Sequence, residues 1–463
     1  MQRPHDIVIL GSGTTAFAAA RLGALRGARV LMIEQSHLGG TCVNWGCIPS
    51  KTLIDKAESY HAARRGEKWG LNLSAGPPDC GVLMRLKNEA VVTVRETHYQ
   101  HELDSTPNID VLRGRGHFIS AQAVQVGSEI IQSDRFLIAT GGVPRTVAIP
   151  GLDQVNYLNS YSALHLPCFP ESVLMLGGGV IALEMGQMFA RFGTRVTILE
   201  RGDRLLGEFD PRLTQTFQNI LEEEGVKVLL GVETERVEQQ SDGVHLFANR
   251  CGRGVELSAE RLMLAVGTQP ASDGIGLQEA GVTVTSGGFI QVDDQLRTSQ
   301  QGIWAAGDVT GPPLIAPAGA REAMVAVENM LNASVAQTID HRYTPMAVFV
   351  DPEFATIGLT TGAAKTLGLK TVETYVDLDQ VPKAHVMGGR KGGILLCAEQ
   401  GTGRILGVQM LVPRAADIIH EATLAVRFNL TVKDISSTVH VYPSISDGLR
   451  VAAQQNAVLQ GLI

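Results

Sequence analysis

The sequence predicts an α/β protein in which one strand–turn–helix–strand unit occurs twice, followed by an α+β region at its C-terminal end. Three observations predict it. The stretch HDIVILGSGTTAFAAARLGALRGARVLMIE sets Gly11, Gly13 and Ala16 in G-x-G-x-x-A spacing between two apolar runs, residues 7–10 and 30–33. The stretch ESVLMLGGGVIALEMGQMFARFGTRVTILE repeats the pattern with Gly177, Gly179 and Ala182. From Tyr343 onward the chain reads as strands and turns, with alternating strands near 392–412 and a helix around 415–428.

Each part of the repeated unit has a physical reason. Gly11 permits a tight turn, Gly13 lets backbone approach a pyrophosphate, and Ala16 keeps helix and strand close. The helix N-terminus then offers its free N–H groups to the diphosphate. Glu34 follows Gly11 by 23 residues and Glu200 follows Gly177 by 23, each placed to accept from a ribose hydroxyl. Together these define two Rossmann-like dinucleotide-binding units. The first runs directly into a cysteine stretch, so its ligand is the one that reacts with sulfur. The later stretch GIWAAGDVTG ends an apolar strand at Gly307 and Asp308, an acceptor suited to a flavin's ribityl chain. The second unit is left for a nicotinamide coenzyme. A carboxylate at Glu200 accepts from a free 2′-hydroxyl and repels a 2′-phosphate, which favours NADH over NADPH, although Arg201 and Arg204 stand close by.

Composition bounds the rest. With 463 residues the chain is long enough for several domains, and a net charge of -8 argues against nucleic acid. No stretch is long and apolar enough for a membrane span, no signal peptide opens the chain, and the expected location is cytoplasmic. The six cysteines do not read as a disulfide framework; Cys80, Cys168, Cys251 and Cys397 lack partner motifs and read as structural or exposed thiols.

Cys42 and Cys47 are different, because GGTCVNWGCIPSK sets them five positions apart between a glycine pair and Lys51. A zinc site lacks nearby further ligands before His61, and a static disulfide is disfavoured in the cytoplasm. Buried structural thiols are a further alternative. A redox-active pair accounts for most: a helix start and Lys51 both favour a thiolate, which can exchange with a dithiol or disulfide.

These residues resemble the active-site signature of the flavin-dependent pyridine nucleotide–disulfide oxidoreductases, which include dihydrolipoamide dehydrogenase, glutathione reductase and mercuric reductase. The resemblance extends in order through ATGG (139–142), the second unit, AVGTQP (265–270) and AAGDVTG. It implies FAD, a homodimer and a glutathione reductase-like division: an FAD-binding domain over 1–150 and 271–338, an NAD(P)H-binding domain over 151–270, and a dimerisation domain over 339–463. It adds Gly40, Thr41, Lys51, Thr140, Gly141 and Gly267 to the cofactor-binding residues. By resemblance Cys47 is the flavin-facing charge-transfer thiolate, Cys42 the interchange thiol, and Lys51 sits by the flavin N5 paired with Glu184. An exposed Lys51 and a surface Glu184 are the alternative.

Disulfide-reducing members carry a His-Pro step and a glutamate that holds the histidine. Here HVYPSISDGLRVAAQQ puts Tyr442 before Pro443, and Asp447 at the glutamate position. Tyrosine ordinarily titrates near 10 and histidine near 6.5, so Tyr442 does not replace the imidazole. His440, two residues earlier, is read as a surface or packing histidine and not as a substitute for that imidazole. Mercuric reductases also have an aromatic before that proline, and LDQVPKA (378–384), ILGVQMLVPRAADII (405–419) and DGLRVAAQ (447–454) resemble them too. That resemblance matches Tyr157 to a tyrosine lining the metal site and allows Tyr442 as a second oxygen ligand, or as a packed aromatic. The chain shows no cysteine after Cys397, where mercuric reductases end in a vicinal pair, so a metal ion is expected to reach Cys42 and Cys47 directly and to be held only transiently. The resulting expectation is an FAD-dependent NAD(P)H oxidoreductase reducing mercuric or another soft metal ion. A disulfide reductase of the dihydrolipoamide dehydrogenase type, or a non-catalytic redox-sensing flavoprotein, is the alternative.

Overall fold

A computed structural model describes residues 5–332, 334 and 336–463. Its first sheet is parallel, with strands in the order Ile303–Ala305, Phe136–Ile138, Ile7–Leu10, Val30–Glu34, Ile109–Arg113. The strand Ile7–Leu10 is buried on both faces, which is why its sequence is a continuous apolar run rather than an alternating one. The edge strand Ile303–Ala305, paired with Phe136–Ile138, arrives from beyond the second unit, so the first sheet is completed by a late return of the chain.

The second sheet is also parallel, in the order Lys227–Leu230, Arg195–Glu200, Ser172–Leu176, Arg261–Leu264. An antiparallel meander, Val232–Gln240, Gly243–Arg250 and Arg253–Ala259, lies beside it. The two glycine turns repeat each other in three dimensions. Gly11 has φ +114° and a Cβ there would stand 2.4 Å from the Ala139 carbonyl oxygen; Gly177 has φ +112° and meets the Ala265 carbonyl oxygen at the same 2.4 Å. Only glycine fits either place.

The C-terminal sheet is antiparallel, in the order Met346–Val348, Glu353–Gly358, Ile405–Val412, Gly393–Glu399, Thr371–Asp377. Helices Ala415–Arg427 and Asp447–Leu459 cover it with alanine-rich apolar faces. No helix among the described residues is long and apolar enough to cross a membrane.

A buried charged cluster joins the three parts. Arg191 is 4% exposed and contacts Glu224 at 2.7 Å and Asp351 at 3.0 Å, while Arg390 reaches Asp351 at 3.3 Å. His61 lies 3.7 Å from Glu224. Removing one member of a buried pair strands the other's charge, so Arg191→Met is expected to cost about 3–5 kcal/mol. A correspondingly lower chemical-denaturation midpoint checks it.

The same cluster predicts acid lability. Burial pushes Asp351 up, but Arg191 and Arg390 outweigh it and hold the carboxyl below its usual value. Its stabilisation is therefore present above the unfolded pKa near 3.9 and is lost as pH falls below it. Burial, then Arg191, lowers the pKa of His61. A histidine depressed in the folded state stabilises above about 6.5 and ceases to do so as pH falls. Stability should thus begin to decline near pH 6.5 and fall further below pH 4.

One sequence expectation is corrected here. Cys80 and Cys168 are not separate thiols: they are joined in a disulfide with Cα atoms 5.1 Å apart. With a sequence separation of 88, no local spacing could have revealed the partnership.

Candidate active site

Cys42 lies in the short helix Gly40–Asn44, and Cys47 is the first residue of the 18-residue helix Cys47–Arg64. The pair therefore spans a break at Trp45 and Gly46 rather than sitting on one continuous helical start. Both thiols are free and half-buried. The Cys42 thiol donates to Cys47; that bond, aided by Lys51, overcomes burial and lowers Cys47 to about 7. Donating that hydrogen bond, and then burial, raises Cys42. The first-turn N–H groups of the long helix also favour charge on Cys47. Cys47 thus ionises near neutral pH, while Cys42 keeps its proton.

Lys51, one turn further along the same helix, places its Nζ 2.6 Å from Glu184 Oε2. The other oxygen of Glu184 accepts from the Phe349 backbone N–H at 2.9 Å, and Lys51 lies 4.7 Å from the Phe349 ring centroid. Residues from all three sheets' neighbourhoods converge on this one ammonium group.

The tyrosines are distributed differently from the sequence expectation. Tyr157 packs against the apolar cluster of the second sheet, with Leu174 and Leu264. Tyr161 is the one beside the cysteine loop: its hydroxyl is 2.9 Å from Thr41 Oγ1 and donates to the Gly142 carbonyl at 3.2 Å, while its ring stacks on Trp45. Sequence reasoning also missed Tyr99. Burial raises its pKa first, and the charges of Cys42 and Cys47 raise it further. It is thus a neutral phenol close to the pair, sitting 3.2 Å from Thr14 Oγ1. No motif surrounds it, and only the packing of its helix against the Thr14–Leu25 helix brings it in.

At the C-terminal end, Tyr442 is 70% exposed. Asp447 does not reach toward it; its carboxylate accepts from Arg450 Nε at 2.6 Å. His440 is fully engaged within its own chain. Its Nδ1 is 2.9 Å from the Thr438 carbonyl, its Nε2 is 2.8 Å from Glu421 Oε1, and its side chain is 6% exposed.

The first glycine turn forms a bare backbone cradle. Gly13 caps the helix Thr14–Leu25 with no side chain, and a Cβ on Gly40 would stand 2.7 Å from Gly13 Cα. Glu34 is buried and accepts from Ser12 Oγ at 2.6 Å. Thr140 Oγ1 is buried without a partner. Burial, then the nearby Glu322, pushes Asp308 up to about 6. An orphaned hydroxyl, a buried carboxyl and a cradle that tolerates no side chain fit a dinucleotide with a polyhydroxy chain. Gly141 and Gly267, both at positive φ, flank the two-stranded ladder Gly142–Pro144 with Thr268–Pro270 that links the two units.

In the second unit Gly179 is the uncapped N-cap of helix Val180–Arg191. The Glu200 carboxylate accepts from the backbone N–H groups of Gly178 and Gly202, each at 2.5 Å. It lies across the glycine turn of the second unit. Arg201 is exposed; Arg204 donates to the Gly207 carbonyl at 2.7 Å, and its Nε is buried without a partner.

Two dinucleotide folds converging on a thiolate–thiol pair define a flavin- and nicotinamide-linked dithiol oxidoreductase. The chain belongs to the pyridine nucleotide-disulphide oxidoreductase family: residues 5–334 match the family model and residues 344–453 match its dimerisation domain. It is 38% identical over 450 residues to a mercuric reductase of Bacillus cereus, covering 97% of this chain and 71% of that one. It is 32% identical over 463 residues to a dihydrolipoyl dehydrogenase of Thermus scotoductus, covering 98% and 97% of the two chains. Among solved structures, the Cu(II) complex of the HOCl-induced flavoprotein disulfide reductase RclA from Escherichia coli matches with a TM-score of 0.87 and 28% identity, covering 98% of this chain and all (100%) of that one. The family implies FAD and a pyridine nucleotide.

Proposed function

We propose that this protein carries electrons from NADH to the Cys42–Cys47 pair and on to a thiophilic acceptor, with mercuric ion or another soft metal ion as the best-supported substrate. The observation that carries the reading is the state of the C-terminal segment: Tyr442 stands exposed where a disulfide reducer needs an imidazole, and both nitrogens of His440 are engaged. A disulfide substrate leaves a thiolate that must be protonated. A soft divalent cation held by two sulfurs takes two electrons and departs as the neutral metal, with no leaving thiol to protonate. The mercuric reductase relative and the copper complex of RclA support this reading.

The bound flavin supplies the two-electron link between nicotinamide and sulfur. The chain's own residues do the rest. Lys51 and the helix N-terminus hold negative charge on Cys47; Cys42, the proton-bearing thiol, meets the acceptor. Glu184 fixes Lys51 in place, so the ammonium stays at the pair. Tyr99 stays a neutral phenol, paired with Thr14, within the field of the two sulfurs. The match to the dimerisation domain, with Val439 at 95% and Val441 at 79% exposure flanking His440, supports a homodimer sealed through this segment. A cytoplasmic setting, where such thiols remain exchangeable, completes the reading.

The second reading, a disulfide reductase, is favoured by the dihydrolipoyl dehydrogenase relative, which spans nearly the whole of both chains. An anaerobic screen of NADH oxidation against mercuric, cupric, quinone and disulfide acceptors separates the two. NADH use rests on Glu200. Glu200→Ala removes repulsion of a 2′-phosphate, and should raise the kcat/KM ratio for NADPH over NADH by roughly tenfold, about 1.4 kcal/mol. A wild-type enzyme that already prefers NADPH would show that Arg201 and Arg204 dominate instead.

A further inference from the structure

We propose that Cys80 and Cys168 form a second thiol–disulfide exchange site, taking small thiols and dithiols in one direction and low-molecular-weight disulfides in the other, that controls access to the cysteine loop. It goes beyond the reading above, and rests on that reading only for the Cys42 readout.

Four observations point there. The bond is reachable: Cys168 is exposed and Cys80 half-buried. Cys80 is the first residue of the 16-residue helix Cys80–Arg95, so the helix end favours charge on its sulfur when the bond opens. The bond joins two separate parts of the molecule, since that helix packs on Cys47–Arg64 of the first unit while Cys168 immediately precedes the second sheet. Finally, Cys168 lies on the same short segment as Tyr161, whose hydroxyl contacts Thr41 and whose ring covers Trp45, on either side of Cys42.

The same two elements also meet through Lys87, which is buried and donates to the Leu164 carbonyl at 2.6 Å. The disulfide is therefore a covalent clasp at the open end of a contact whose inner end is a single hydrogen bond and apolar packing. With the bond closed, the segment 159–168 is pinned and Tyr161 stays on the loop. With it open, the covalent pin is gone, and the segment is held by the Lys87 hydrogen bond, the packing of Ala163 and Leu164, and Tyr161's own contacts.

The exchange balances without another reactant. A small thiolate attacks the exposed Cys168 sulfur; the Cys80–Cys168 bond breaks, a mixed disulfide forms at Cys168, and Cys80 leaves as a thiolate. A second small thiolate attacks that mixed disulfide and releases the small disulfide. Two electrons have entered the pair, and the two protons of the small thiols end on Cys80 and Cys168.

The test uses the whole flavin-loaded protein. Graded dithiothreitol is applied anaerobically, iodoacetamide traps free thiols, and peptide mass mapping scores Cys80, Cys168 and Cys42 separately. Cys80 and Cys168 should be unlabelled in untreated protein and become labelled together as dithiothreitol rises. In protein whose active pair has been reduced with NADH, opening the second pair should speed Cys42 labelling at least threefold. Cys80→Ser and Cys168→Ser should show the fast Cys42 rate with no dithiothreitol present. If those variants do not fold, the dithiothreitol-opened wild type carries the comparison. Full labelling of Cys80 and Cys168 in untreated protein, a bond that resists excess dithiothreitol, or an opened bond with an unchanged Cys42 rate would each overturn the proposal. If NADH fails to reduce Cys42 and Cys47, the proposed function fails while the Cys80–Cys168 mapping still stands or falls by itself.

Discussion

Cys47→Ser is expected to abolish the long-wavelength thiolate–flavin absorbance seen on reduction and to lower acceptor turnover by three orders of magnitude or more. Cys42→Ser should retain the band and lose turnover to a similar extent. The asymmetry follows from the site: Cys47 is lowered to about 7 and carries the charge, whereas Cys42 is raised and keeps its proton. A nucleophile and its partner acting as a unit commonly show losses of this size when either is removed. An unchanged band in Cys47→Ser would refute the assignment. The pH dependence has a definite sign. Alkylation of Cys47 by a small haloacetamide should rise with pH through an inflection near 7, because only the thiolate reacts. Lys51→Met should move that inflection upward, since Lys51 favours the charged form. An inflection that stays put would assign the low value to the helix end and the Cys42 hydrogen bond alone.

Wild-type protein should reduce lipoamide and glutathione disulfide very slowly compared with a soft metal ion, and Tyr442→His should raise disulfide reduction. A well-positioned general acid contributes roughly 10²–10⁴-fold. The single substitution should recover about tenfold, the low end, because Asp447 is committed to Arg450 and does not reach a side chain at 442. Adding Asp447→Glu, which lengthens the carboxylate arm, should recover more. Wild-type turnover of either disulfide at the tens to hundreds per second common among efficient enzymes would return this protein to the ordinary disulfide reductases. His440→Gln separates a catalytic from a supporting role for that ring. With both nitrogens engaged it should change the stability of the segment 438–446 and leave the pH profile of acceptor reduction unmoved.

Much of this protein is local, and what is local was legible. The glycine turns at Gly11 and Gly177 could be read because their geometry excludes every side chain, so the residue type announces the backbone. The acids at 34 and 200 follow from strand and helix lengths, and the order of motifs along the chain marks the family. The cysteine pair was legible for the same reason, since both thiols and Lys51 lie within 10 residues. What only the tertiary structure decided depends on distant segments meeting. Tyr157 and Tyr161 share a short stretch, and nothing in their neighbours says which one turns toward Thr41; the packing of the two units places Tyr161 there. Tyr99 comes within the field of the pair only because its helix lies against Thr14 and Phe17. His440 is bound by Glu421, 19 residues earlier on the helix Ala415–Arg427, which nothing in its own stretch of sequence could anticipate. Cys80 finds Cys168 across 88 residues. A turn states its requirement in the residues that make it, whereas a contact between remote side chains is written only in the way the sheets and helices are stacked.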